Sequence, residues 1–139
     1  MRAWVAISAV LLCACASAGA NRSDANSLNA TAISTVDVLL GYAATDFRAQ
    51  RAPQPVEFRN VRIGYVLTSD GAKQHRLCGE FLPAGDGGKG NWSSFATIQT
   101  DPYEQWLGGS TLTFCKDPGM KWDREDLTAR MQARFKSLR

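Results

Sequence analysis

Two segments that alternate apolar and polar residues, joined by a short turn, most constrain the fold of this chain. They cover residues 58–67 and 75–81, and Ser69-Asp70-Gly71 lies between them. Alternation with a period of two predicts β-strands, and the turn residues predict a tight connection with Gly71 at positive φ. We therefore expect an antiparallel hairpin that carries Cys78 in its second strand.

The hairpin is expected to belong to an α+β fold: a four-stranded antiparallel meander flanked by an N-terminal and a C-terminal helix. Strands are predicted over residues 56–68, 74–82, 92–100 and 110–115, and helices over 34–50 and from 123 onward. Ser34 and Asp37 open the first helix as a capping-box-like pair, and Asp123 is the expected N-cap of the last. In the first strand, strict alternation places Val61 and Phe58 on opposite faces.

Each helix is expected to bury one apolar stripe against the sheet, because its apolar residues recur at helical spacing. The predicted stripes are Val36, Leu39, Leu40, Ala43 and Phe47 in the first helix, and Leu127, Met131, Phe135 and Leu138 in the last. Residues 101–106, between the third and fourth predicted strands, are expected to form a turn or one short helical turn.

Residues 1–20 have the features of a secretion signal. Arg2 supplies a positive charge, an apolar run covers residues 4–12, and small residues fill positions 14–20. The apolar run is shorter than the ~20 residues that a membrane-spanning helix needs. Residues 21–33 are polar and small and are expected to form a flexible tether, followed by a single domain over 34–139.

Two cleavage sites compete within the signal. Ala18-Gly19-Ala20 fits a signal peptidase site, whereas Leu12-Cys13-Ala14-Cys15 resembles a bacterial lipobox in which Cys15 would carry the lipid. The composition after Cys15 favours the lipobox, because it suits a tether between an anchor and a domain. We expect a periplasmic protein, either lipid-anchored at Cys15 or free, with no other contact with the membrane.

The two cysteines outside the signal are Cys78 and Cys115. In an exported protein, two such cysteines are expected to form one disulfide bond. The bond would close a loop of about 38 residues, which is worth about 4 kcal/mol in the chain-entropy model. Two buried free thiols are the alternative.

Composition limits the classes of function. The chain has 139 residues, of which 45% are hydrophobic and 21% charged, as is usual for one globular domain. A formal net charge of +3, without a basic stripe, does not favour nucleic-acid binding.

No set of residues has the spacing of a catalytic or metal site, so we expect neither, and no cofactor. His75 is the sole histidine, and the sequence identifies no nucleophile and acid to complete a triad with it. The glycine-rich residues 85–90 lack the following hydroxyl and helix of a phosphate-binding loop. A hydrolase that uses carboxylates such as Glu80 and Asp86 is the alternative, although nothing in their spacing brings them together.

A cross-strand polar network is expected within the hairpin. Arg59 and Arg62 of the first strand lie close enough in register for either to reach Glu80 of the second. Such a network would fix the register of the two strands. An exposed ion pair of little energetic value is the alternative.

The hairpin residues also carry a resemblance. Phe58-Arg59-Asn60-Val61-Arg62 followed by Cys78-Gly79-Glu80 resembles a group of small, uncharacterised exported bacterial proteins with an F-R-N-V-R strand and a C-G-E strand. The similarity covers residues 54–95, although the asparagine-lysine-asparagine approach to the glycines is missing from this chain. The resemblance implies an exported α+β domain and no particular reaction.

Together these features favour a bacterial envelope protein that acts as a non-catalytic binding or interaction module. Its expected partner is a protein in the envelope, and an inhibitor or immunity-type protein is one specific version. The expected contact region is the loop after the second strand, with Asp86, Lys89 and Trp92, because mobile loops often carry recognition.

Overall fold

The computed structural model describes residues 33–50, 54–85 and 91–138. The predicted signal segment, the lipobox with Cys15, nearly all of the tether, and Asp86 and Lys89 of the glycine loop lie outside the described residues. Within the described ranges, no helix has both the length and the apolar character needed to cross a membrane.

The described residues form five strands and three α-helices, which confirms the α+β class. In chain order they are α1 (Thr35–Ala49), β1 (Pro55–Leu67), β2 (Lys73–Pro83), β3 (Ser93–Gln99), β4 (Tyr103–Leu107), a 3-10 turn (Gly108–Thr111), α2 (Leu112–Cys115), β5 (Lys121–Trp122) and α3 (Thr128–Ser137). The strands form one sheet in the order β4-β3-β2-β1-β5, and all neighbours are antiparallel. The predicted hairpin is β1 and β2, at the centre of this sheet.

The fourth predicted strand is wrong. Residues 110–115 form the end of the 3-10 turn and α2, while the strand beside β3 is Tyr103–Leu107, for which the sequence predicts a turn. The β-branched and aromatic residues of 110–115 favour a strand, but packing across the sheet decides their conformation. The sheet has five strands because Lys121 and Trp122 also pair with β1.

Helices α1 and α3 pack together on one side of the sheet, which we call the helix face. The buried cluster there comprises Leu39, Leu40, Ala43, Ala44, Phe47, Phe58, Val61, Ile63, Leu77, Phe81, Phe95, Leu127, Met131 and Phe135. Most of both predicted stripes is therefore confirmed. Leu138 is an exception, since it is 39% exposed.

The two helices begin differently. Helix α1 begins as predicted, because the backbone N–H of Asp37 donates to Ser34 Oγ at 3.1 Å. The predicted N-cap at Asp123 is wrong, since α3 begins only at Thr128. The backbone N–H groups of Asp123 and Leu127 instead donate to carbonyl groups of β1, which holds the intervening segment along the edge of that strand.

The opposite side of the sheet, which we call the outer face, is covered by residues 108–119, the cover segment. Cys115 of this segment forms the predicted disulfide bond with Cys78 of β2, with an Sγ–Sγ distance of 2.00 Å. Arg76, which is buried, donates to the Phe114 carbonyl at 3.0 Å and to the Asp117 carboxylate at 3.1 Å. A covalent bond and a buried guanidinium thus attach the cover segment to the sheet.

A β-bulge at Asn60 changes the alternation of β1. Arg59 is opposite Glu80 and Arg62 is opposite Cys78, so β1 has one more residue than β2 in this interval. Asn60 has a φ of 54°, a left-handed conformation that asparagine tolerates better than most residues. The predicted placement of Phe58 and Val61 on opposite faces is therefore wrong, since both are buried on the helix face.

Candidate binding groove on the outer face

A groove of about 650 Å³ opens on the outer face, between the cover segment and the chain that follows β5. Its strand residues include Asn60, Cys78, Gly79, Glu80 and Ser94. The cover segment contributes Thr111, Leu112, Cys115 and Lys116, and the β1–β5 side contributes Arg62, Trp122, Arg124 and Asp126. Because the disulfide bond joins the cover segment to β2, it also fixes the position of one wall.

Glu80 is held by two neighbours on β1. Arg59 Nε and Asn60 Nδ2 each donate to Glu80 Oε2 at 2.9 Å. Both bonds lower the pKa of Glu80 below its ordinary value, and the bond from Arg59 has the larger effect. Glu80 is therefore an ionised acceptor at neutral pH and is poorly suited to act as a general acid.

The second arginine of the predicted network has a different position. Arg62 forms no ion pair with Glu80, and its guanidinium lies over the Trp122 ring, 4.7 Å from the centroid. Arg59 lies over the Trp92 ring at 4.1 Å. Both arginines of the F-R-N-V-R strand thus stack on tryptophans, an arrangement stabilised by cation–π attraction.

Three cations line the groove without forming an ion pair with a carboxylate of the described residues. They are Arg62, Lys116 and Arg124. The two carboxylates of the groove already have donors: Glu80 is bonded to Arg59, and Asp126 accepts the backbone N–H of Thr128 at 2.9 Å. The groove therefore has cationic groups available for an anionic ligand.

The cysteine-glycine-glutamate run on β2 forms part of the groove for a packing reason. A Cβ at Gly79 would lie 2.8 Å from Phe95 Cε1 and 2.9 Å from Val61 Cγ2, far closer than such atoms approach. Cys78 forms the disulfide and Glu80 the ion pair. Each residue of the run thus has a structural role, and together they form the base of the groove.

Several groove residues are not marked by any local pattern in the sequence. Leu112, Lys116, Trp122 and Arg124 come together through the disulfide bond and the pairing of β5 with β1. The disulfide is the one signal that could have located part of this set, since a bond at Cys115 brings its sequence neighbours to β2.

The remaining predicted residues lie elsewhere. His75 is half-buried, and its Nδ1 lies 3.0 Å from Gln99 Oε1. The Trp92 ring contacts the guanidinium of Arg59, which is bonded to Glu80. Asp86 and Lys89 lie outside the described residues. Within the parts of the chain that the structure describes, no group of three or more His, Cys, Asp or Glu residues could hold a metal ion.

Comparison with known proteins identifies no relative of this chain. No protein-family model, curated protein or solved structure matches the chain. The function proposed for the groove is therefore argued from the residues that line it.

Proposed function

We propose that this is an exported bacterial envelope protein whose outer-face groove binds a protein partner without catalysing a reaction. The observation that carries the proposal is the combination of apolar and cationic side chains in one groove. Trp122 is half-buried and Leu112 is 46% exposed, so both offer apolar surface to a partner. Arg62, Lys116 and Arg124 favour a partner segment that carries acidic residues.

The attachment of the cover segment supports binding by a preformed surface. The disulfide and the contacts of Arg76 hold one wall of the groove before any partner arrives. Less conformational freedom is then lost when the complex forms, which increases affinity. The environment of Glu80 also favours binding over hydrolysis, because its carboxylate is already bonded to Arg59 and Asn60.

The specific form that we propose is an inhibitor or immunity-type protein for an enzyme of the envelope. A small disulfide-bonded domain with one rigid concave face suits the blocking of an enzyme surface, by analogy at the level of architecture. The first test uses site-specific photo-crosslinking in the exporting bacterium. A crosslinker at Leu112, in the groove, is compared with one at Leu138, which is similarly exposed at 39% but follows α3.

We expect a discrete adduct from position 112 and none from position 138. A Lys116→Glu substitution should weaken that adduct by charge reversal, whereas Lys136→Glu on α3 should not. If the captured partner is an enzyme, its activity should fall when the purified protein is added. Equal adducts at both positions, or no adduct at 112, would contradict the proposed use of the groove.

Export and anchoring are a separate part of the proposal. The disulfide is compatible with an oxidising compartment, which supports the periplasmic location. We propose that the lipobox is used, so mass spectrometry of the mature protein should find a lipid on Cys15. A mature chain that begins at Asn21 would instead indicate cleavage by signal peptidase without a lipid. An uncleaved N-terminus would contradict export through this signal.

A further inference from the structure

A second cavity, of about 540 Å³, lies on the helix-face side of β5. Its charged and aromatic lining includes Tyr65, Lys73, His75 and Lys121. The first turn of α1 forms another side of the cavity, through Thr35 and Val36. This cavity shares Trp122 and Arg124 with the outer-face groove, whereas Lys73 and Lys121 line the cavity and not the groove.

Sheet register brings the cationic residues of this cavity around one aromatic ring. Tyr65 of β1 is opposite His75 on β2 and Lys121 on β5. Lys73 is two residues before His75 on β2, so the two side chains lie on the same side of the sheet. Lys73 Nζ and Lys121 Nζ lie 4.5 Å and 5.9 Å from the Tyr65 ring centroid, and the His75 and Tyr65 centroids are 5.9 Å apart.

The cavity has an excess of positive charge. Neither lysine forms an ion pair with a carboxylate in the described ranges, and neither does Arg124, which also lines it. Among the described residues of the lining there is one carboxylate, that of Asp123, which accepts the backbone N–H of Arg124 at 2.6 Å. Lys73 and Lys121 lie on the two strands that flank Tyr65, and an anion bound in the cavity would be attracted by both ammonium groups.

We propose that this cavity binds a phosphate-bearing anion through Lys73 and Lys121, with Tyr65 as the surface on which both lysines are arranged. Lysine is an effective phosphate ligand because its ammonium is a compact charge with three donors. The cavity is larger than a phosphate group alone, so the phosphate can carry an attached organic group. A soluble phosphorylated compound and a phospholipid headgroup share this chemistry.

The test measures inorganic phosphate binding to the exported chain with its disulfide intact, by NMR titration of backbone amides. We expect shifts at Tyr65, Lys73 and Lys121 that saturate. The double variant Lys73→Gln/Lys121→Gln should weaken binding by about tenfold or more, since both charged ligands are removed. The control, Arg134→Gln/Lys136→Gln on α3, changes net charge equally at exposed positions outside both the cavity and the groove, and it should bind as the wild type does.

Sedimentation with phosphatidylglycerol vesicles distinguishes the sources of the phosphate. All chains in this experiment carry Cys15→Ala, so that a lipid at that position cannot itself anchor them. If the double variant loses sedimentation with phosphatidylglycerol vesicles and the control does not, the ligand is a headgroup. If phosphate binds but no variant differs in sedimentation, the ligand is soluble. Failure of phosphate to shift these amides, or equal weakening in the control variant, would overturn the site. Neither result depends on the crosslinking outcome at Leu112, so failure here is distinguishable from failure of the proposed groove.

Discussion

The two faces of the sheet are stabilised in different ways. On the helix face, fourteen described residues form one buried cluster, whereas the corresponding cluster on the outer face contains three. The outer face relies instead on the Cys78–Cys115 bond and on the contacts of Arg76 with the cover segment. Burial therefore stabilises one face, and a covalent attachment holds the other while leaving the groove open.

The largest effect is expected for the substitution Phe47→Ala on the helix face. Phe47 is 1% exposed, and its ring packs edge-on against Phe58, Phe81 and Phe95. Truncation leaves a cavity between α1 and the sheet that these side chains cannot fill, so we expect a loss of about 5 kcal/mol. Urea unfolding measures the change in unfolding free energy. If Phe47→Ala does not fold, Phe47→Leu is measured in its place, and it should lose much less stability.

The second largest loss of stability is expected on removal of the disulfide, which tests the outer face. The double variant Cys78→Ala/Cys115→Ala should lose about 4 kcal/mol, because the unfolded chain regains the freedom that the bond removes. The urea dependence of unfolding should also steepen, since an uncrosslinked unfolded chain exposes more surface. Hydrogen exchange in residues 108–119 should increase, while exchange in α1 changes only with global stability.

The contrast between the two faces would be wrong if Phe47→Ala and the disulfide variant changed the urea dependence and the hydrogen exchange in the same way. Phe47→Ala acts on the folded core, so it should leave the urea dependence unchanged. A disulfide variant with unchanged exchange in the cover segment would mean that Arg76 alone holds that wall. Such a result would remove the structural reason for treating the groove as preformed.

Gly79→Ala is expected to have an intermediate effect, because the added methyl group would enter the helix-face core directly behind the base of the groove. The added methyl group would overlap with Phe95 and Val61, so we expect a loss of about 1–3 kcal/mol from overpacking. Gly109→Ala is a matched control, since a Cβ there meets nothing within 4 Å. Its stability should change by no more than about 0.5 kcal/mol. Similar losses in both variants would mean that close packing at Gly79 is not the cause.

Periodicity and turn chemistry were sufficient to predict the hairpin and the first helix, and the cysteine count was sufficient to predict the disulfide. Alternation marks β1 and β2, Gly71 adopts the expected positive φ, and Ser34 caps α1. These features are local, or depend on only two cysteines. They can be predicted from the sequence because each requires particular residue types at particular spacings.

The elements that depend on tertiary contacts could not be predicted in this way. The bulge at Asn60 moves Phe58 to the helix face, and no residue pattern marks it in advance. Residues 123–127 do not form a helix because backbone N–H groups of this segment donate to carbonyl groups at the edge of β1, which overrides the helix-starting pattern at Asp123. Most of the groove consists of such contacts, so its position could not be derived from the sequence.

The smallest effect is expected for Glu80→Gln, at the outer-face ion pair. Glu80 is bonded to Arg59 and Asn60, but the pair is partly exposed, so we expect a loss of about 0.5 kcal/mol at neutral pH. Its pKa is lowered in the folded state by Arg59 and then by Asn60. The stabilisation is therefore present above the ordinary glutamate pKa of 4.5 and is lost as the pH falls through the lower folded value.

The difference in unfolding free energy between wild type and Glu80→Gln should accordingly be largest at neutral pH and shrink below about pH 4.5. Glu57→Gln is the control, because Glu57 is an exposed glutamate on the neighbouring strand β1 and forms no ion pair among the described residues. A difference that does not vary with pH, or one that Glu57→Gln reproduces, would show that the Arg59–Glu80 pair does not stabilise the hairpin. The outer face would then depend on the cover segment alone, and the position of Glu80 in the groove would matter for binding rather than for folding.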